Sequence, residues 1–168
     1  MPDVPHGMTA LDLQRELADV IRDLFAEVRL KAVGTQQARA PKVFMQDLPI
    51  PKDDYEAVYS ELPYIIVHLS EGSIEEWDMP DAENTIRIEL YLGVYNKDED
   101  RSGHVELLNM IQRIQNYFGI HRRVNNFILQ PSFRWVLDEE DRYPNYFGAV
   151  ALSFSAPRTI KEDPLQWL

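Results

Sequence analysis

The first long periodic run of apolar residues has helical spacing. Leu13, Leu17, Val20, Ile21, Leu24, Phe25 and Val28 recur at three- and four-residue steps, one stripe along about four turns. Arg15, Asp19, Arg22, Asp23 and Glu27 fall mainly on the other face. Thr9 suits the N-cap, Asp12 complements the positive end of the helix dipole, and Gly34 is a stop signal, so a helix is expected over 9–33. Residues 1–8, with two prolines and a glycine, read as a flexible arm. From 35 to 61 the periodicity fades. Residues 42–48 suit a short strand, and 53–59 either one helical turn or a loop; so irregular a stretch usually carries contacts or moves.

Period two then takes over. Tyr64, Ile65, Ile66, Val67, His68 and Leu69 form an apolar run of strand length, rich in β-branched residues. Residues 71–83 read as an acidic loop containing Gly72 and Pro80. In 85–95 the alternation is clean: Ile86, Ile88, Leu90, Leu92 and Val94 point one way, Thr85, Arg87, Glu89, Tyr91 and Gly93 the other. That predicts a half-buried strand with an antiparallel neighbour. Helical spacing returns over 104–118 through Leu107, Leu108, Ile111, Ile114, Gln115 and Phe118, with Gly119 as the terminator. Phe127, Leu129, Phe133 and Trp135 mark a further strand, in which Pro131 implies an edge position or a bulge. After the turn Tyr143-Pro144-Asn145, a last strand spans 146–155 and Pro157 closes it; 158–168 is a short tail.

This order predicts a single α+β domain, with a mostly antiparallel sheet of about four to five strands and two main helices packed on one face. The sheet and second helix fall in 62–157.

Composition narrows the function classes. A 168-residue chain with 45 % hydrophobic and 27 % charged residues is ordinary globular material, which confines disorder to the ends. The absence of cysteine excludes disulfides and thiolate metal sites. No apolar run approaches the roughly 20 residues that cross a bilayer, and no basic segment leads into an apolar one at the N-terminus. A soluble protein without a membrane partner is therefore expected. A formal net charge of −11 repels phosphate backbones and argues against general nucleic-acid binding. The acidity serves solubility, or keeps a surface close to DNA without adhesion.

Catalytic patterns are missing. The seven glycines form neither GxGxxG nor a P-loop, no GxSxG elbow surrounds a serine, and HExxH is absent. His6, His68, His104 and His121 are not at metal-ligand spacing. His68 reads as a sheet histidine with a satisfied ring; His121, in a basic cluster with Arg122 and Arg123, suits a helix C-terminus or a phosphate contact. Carboxylates crowd two segments: Glu71, Glu75, Glu76, Asp78, Asp81 and Glu83, and then Asp138, Glu139, Glu140 and Asp141. Both read as solvated loops rather than as an acid/base pair held in a concave site. No enzyme, cofactor or metal is expected. The aromatic residues Trp77, Tyr143, Tyr146, Phe147 and Trp167 either cover the core or meet another protein.

The carboxyl half carries a resemblance. The strand IRIELYLGVYNKDED (86–100), the helix end IQRIQNYF (111–118), Phe133-Arg134-Trp135 and the turn YPNYFG (143–148) resemble the tail terminator, or tail completion, proteins of long-tailed phages and prophages of Gram-positive bacteria. In that family a GVYxKDE strand end, an IxxI helix core and a YPYxFG-like turn recur. Asn145 departs from it at a position usually aromatic or small, and the segment 35–61 matches none of the pattern.

The resemblance implies a virion structural protein that assembles as a ring, typically a hexamer, on the head-proximal end of the tail tube. There it would stop tube polymerisation and give the head a docking surface. Its partners would be its own copies, the major tail tube protein and the head–tail connector proteins, with DNA passing through unbound. Its place would be the host cytoplasm during assembly and then the virion tail. Glu71, Glu75, Glu76, Trp77, Asp78, Asp81 and Glu83 are candidates to face the channel or tube. Tyr143, Tyr146, Arg158, Lys161, Leu165 and Trp167 are candidate contacts to a subunit or connector. Competing readings are a head completion or neck adaptor protein and, from a different class, a small ligand-binding or regulatory α+β domain.

Overall fold

In the computed structural model, residues 9–34, 37–50, 57–80 and 82–156 are described. Along the chain come α1 (Ala10–Phe25), β1 (Lys42–Met45), α2 (Ala57–Ser60), β2 (Tyr64–Ile74), β3 (Asn84–Tyr95), α3 (Gly103–Ile120), β4 (Arg123–Val124), β5 (Phe127–Leu129), β6 (Arg134–Leu137) and β7 (Asn145–Ala156). The arm assigned to 1–8 and the tail assigned to 158–168 lie outside the described residues.

Helix α1 starts as its sequence dictates. The Asp12 N–H donates to Thr9 Oγ1 and the Thr9 N–H to Asp12 Oδ2, both at 3.1 Å, a reciprocal capping box. The helix stops at Phe25, well short of the expected 33. Arg29 supplies the reason for this early end: its guanidinium donates to the carbonyls of Ala26 at 2.8 Å and Val28 at 3.1 Å. Leu30 then pairs with Arg39 in an antiparallel bridge, through two backbone hydrogen bonds of 2.9 Å. Val28 still packs on the core, so the apolar stripe outlasts the helix. Helix α3 likewise runs past Gly119 to Ile120, with His121 as its cap.

The sheet has seven strands in the order β1-β2-β3-β7-β5-β4, with β6 also on β7. β1 runs parallel to β2 and all other pairs are antiparallel, so the sheet is mixed and wider than the expected four to five strands. The segment around Pro131 pairs with β7 as two strands rather than one. Ile128 faces Ser155 and Arg134 faces Ala151, a register change across the proline.

Residues 71–74, expected in a loop, continue β2 opposite β3, beyond a register shift between Leu69 and Glu71. Gln46, at φ 69°, holds that irregularity: its side chain accepts from the Leu69 N–H at 2.9 Å and donates to the Leu69 carbonyl at 3.1 Å. Gln14, buried on α1, donates to Gln46 Oε1 and to the Val67 carbonyl, each at 2.9 Å, and so ties helix to sheet.

Both long helices lie on one face, as expected. Ile86, Ile88, Leu90, Leu92 and Val94 of β3 are all buried there with Val150, Leu152 and Phe154 of β7, beneath Leu13, Leu17 and Ile21 of α1 and Leu107, Ile111, Ile114 and Phe118 of α3. On the opposite face a smaller cluster forms around Leu62, Tyr64 and Ile66, with Phe44, Leu48 and Phe147 against it. Among the described residues no helix is long and apolar enough to cross a membrane.

Candidate functional site

Strand register divides the molecule into two ends. At one end β2 turns into β3 through the loop 75–83, beside the last residues of β7, where Asn84 faces Ala156. At the other end β3 leads into the loop 96–102 and β7 begins after the loop 138–144, where Tyr95 faces Asn145.

The hairpin end is acidic and exposed. Glu75, Glu76, Asp78 and Glu83 are all solvent-facing, and Trp77 is 65 % exposed at the tip. Turn bonds from the Met79 N–H to the Glu76 carbonyl (2.8 Å) and from the Ala82 N–H to the Met79 carbonyl (3.2 Å) shape the loop. Glu71, grouped with this loop by its charge, instead sits within β2 opposite Arg87. Asp81 lies outside the described residues, as do Arg158, Lys161, Leu165 and Trp167.

Braces close the far end. Arg142 pairs with Asp138 at 2.5 Å and Glu140 at 2.7 Å, while Arg101 pairs with Asp141 across the two loops. The Tyr143 hydroxyl donates to the Lys97 carbonyl, Arg101 lies 5.3 Å from the Tyr143 ring centroid, and the Asn96 N–H donates to the Pro144 carbonyl at 2.9 Å. Hydrogen bonds from Arg142 and Arg101 hold the Asp138 and Asp141 carboxyls below the usual carboxylate range. Asp138, Glu140 and Asp141 therefore form a clasp, not a merely solvated loop. Tyr143 remains 39 % exposed on that clasp.

Tyr146 is partly buried: its ring lies on Gly103 at the start of α3 and packs against the core. A methyl group at Gly103 would fall inside van der Waals contact of that ring. Gly103→Ala is therefore expected to destabilise the fold by about 1–3 kcal/mol, seen as a lower urea midpoint with an unchanged slope.

His68 packs 5.2 Å from Tyr91, its Nδ1 3.2 Å from the Gln46 carbonyl, which is the satisfied sheet histidine that its strand position suggested. Tyr91 in turn donates to Glu89 at 2.6 Å; that bond, reinforced by burial, pushes the phenol up to about 12. His121 caps α3 and stacks on Tyr117 at 4.6 Å.

One carboxylate stands apart. Glu106 lines a groove of about 330 Å³ with Phe25, Leu30, Met110 and Arg113, and burial raises its pKa against the opposing pull of Asn96 and Lys31. Among the described residues no second carboxylate, serine or histidine lines that groove. Among the described residues no cluster of histidines and carboxylates has the geometry to hold a metal ion.

The fold exposes two further surface features. Trp135 (50 % exposed) and Val136 (61 % exposed) stand on opposite faces of β6, which among the described residues pairs on one side only, with β7. A basic corner forms where α3 ends: Arg122 and Arg123 are both exposed, and neither makes an ion pair with a described residue. No protein-family model matches the chain, and no curated protein matches it.

Proposed function

We propose that this chain is a virion structural protein of the tail terminator kind. Copies of it close the head-proximal end of a phage tail tube as a hexameric ring, stop tube polymerisation and present the surface on which the filled head docks. It acts by assembly, without catalysis, in the host cytoplasm and then in the virion tail. Its partners are its own copies, the major tail tube protein and the head–tail connector, and DNA passes through without specific binding.

The sequence resemblance over 62–157 supports this reading, and one structural observation carries it. The two ends of the sheet differ in construction: one exposes a tryptophan among carboxylates on a loop, the other is braced by ion pairs across two loops. A terminator must meet different proteins on its two sides, and so needs two unlike ends on one rigid sheet. An exposed tryptophan is characteristic of surfaces that become buried on association.

The test is deletion of the gene from its phage, followed by electron microscopy of the lysate. Headless tails of uncontrolled length are the expected outcome. Tails of normal length that fail to join heads would transfer the reading to a neck adaptor. Infectious particles with tails of normal length would sink both.

A further inference from the structure

We propose that the acidic hairpin tip of one copy docks on the basic corner of the next, so that the boundary between subunits runs between residues 75–83 and the corner formed by Arg122 and Arg123. This rests on the ring reading, and it moves the tip from the channel to the subunit boundary.

Register places the two surfaces. Ser73 faces Thr85, Thr85 faces Ser155, Ser155 faces Ile128, and Ile128 faces Arg123. This is one continuous row across β2, β3, β7, β5 and β4. The acidic loop starts just beyond one end of the row, and Arg123 is its other end. Four interstrand steps separate them, about 19 Å. Ser73, at the base of the acidic loop, and Arg123 thus lie in one row near opposite sides of the sheet, and the tip projects beyond that row along the strands. Copies related by a rotation would bring the loop of each against the corner of its neighbour. That contact is heterologous, and it closes into a ring when the rotation does.

The chemistry of the two surfaces is complementary. Glu75, Glu76, Asp78 and Glu83 offer carboxylates, and Arg122 and Arg123 offer guanidinium forks that pair with them in bidentate fashion. Beside Arg122 a groove of about 210 Å³ runs between the end of α3 and the β5–β6 link, lined by Phe118, Leu129, Pro131 and Phe133. Trp77, exposed among the carboxylates, is the side chain suited to fill it. An aromatic anchor in an apolar groove, ringed by opposite charges, is the usual arrangement of an interface hot spot. In a chain of net charge −11 a basic corner with no ion pair to a described residue also gives copies a place to meet where their like charge does not repel.

A charge swap on the full chain tests this, read by sedimentation at physiological salt with far-UV circular dichroism as the check on folding. Wild type is expected to form closed oligomers that dissociate as salt rises. Arg122→Glu with Arg123→Glu, and separately Glu75→Arg with Glu76→Arg, should each weaken association at least about tenfold while leaving the fold intact. Combining all four substitutions restores the complementarity in reverse and should recover association. Trp77→Ala should weaken it without changing its salt dependence.

A wild-type chain that stays monomeric overturns the inference, as do single-patch reversals that assemble like wild type or a fourfold variant that stays dissociated while folded. Normal tail lengths in the gene deletion, alongside a successful swap, would sink the terminator reading and leave the interface standing. Terminator behaviour with a charge-insensitive ring would do the reverse.

Discussion

Phe154→Ala is expected to lower the unfolding free energy by about 3–5 kcal/mol. Phe154 is fully buried on β7, facing Ile86 of β3 on one side and Leu129 of β5 on the other. Its ring meets Phe118 of α3 edge-on, 6.4 Å between centroids at 77°. Truncation therefore removes apolar area, an aromatic pair and the link between helix and sheet in one step. A cavity at this point cannot collapse easily, because strands flank it on both sides and a helix lies above. Domains of this size lose roughly 2–4 °C of melting temperature per kcal/mol, so a drop of roughly 6–20 °C is expected in a thermal melt. Phe154→Leu, which keeps most of the volume, should cost under about 2 kcal/mol. An alanine variant within about 1 kcal/mol of wild type would mean that the α3–β7 contact is not the centre of the core.

How much of this architecture the chain announces depends on how local its cause is. The alternation from Ile86 to Val94 is local, and all five apolar residues are buried on the helix side. The Thr9 cap and the interruption at Pro131 are local as well. What stays hidden is imposed from a distance. Residues 71–74 carry two polar residues and a glycine and lack strand character of their own; they are strand because Arg87, Ile86, Thr85 and Asn84 lie opposite. The two-residue β4 exists only through its pairing with β5. The end of α1 is concealed because Val28 and Leu30 stay in the core after the backbone stops being helical.

The candidate surfaces follow the same rule. The acidity of 75–83 is visible in the chain, and so is the basic pair Arg122 and Arg123. The row that joins the base of the loop to Arg123 is not, since it arises from four separate strand pairings. The packing of Tyr146 is hidden for a related reason: the glycine its ring rests on, Gly103, lies more than forty residues earlier in the chain.

Arg39→Met should destabilise the fold by about 2–4 kcal/mol, and Arg39→Lys should recover little of the loss. The guanidinium of Arg39 is partly buried and donates to four backbone carbonyls: Ala40 at 3.0 Å, Pro63 at 3.1 Å, Glu61 at 2.9 Å and Leu62 at 3.0 Å. Three of these belong to the segment that leads into β2, and the fourth adjoins Arg39 itself. Burial pulls the pKa of the guanidinium down, with Glu61 opposing, yet arginine starts so high that it stays charged throughout the working range. Methionine keeps an unbranched apolar stem but supplies no donors, which leaves carbonyls without partners in a region shielded from water. Lysine restores the charge as a single point and cannot reach both sides of the chain as a planar fork does. The damage should be spatially confined, because the Pro63 carbonyl also accepts from the Lys42 N–H at 3.1 Å, at the start of the β1–β2 pairing. Hydrogen exchange in the variant should accelerate first at the amides of 42–46, whereas the β3–β7 ladder keeps its protection until global unfolding. Uniform acceleration across both ladders, or lysine matching wild type in a urea titration, would show that Arg39 acts through its charge alone and not through the carbonyls it gathers.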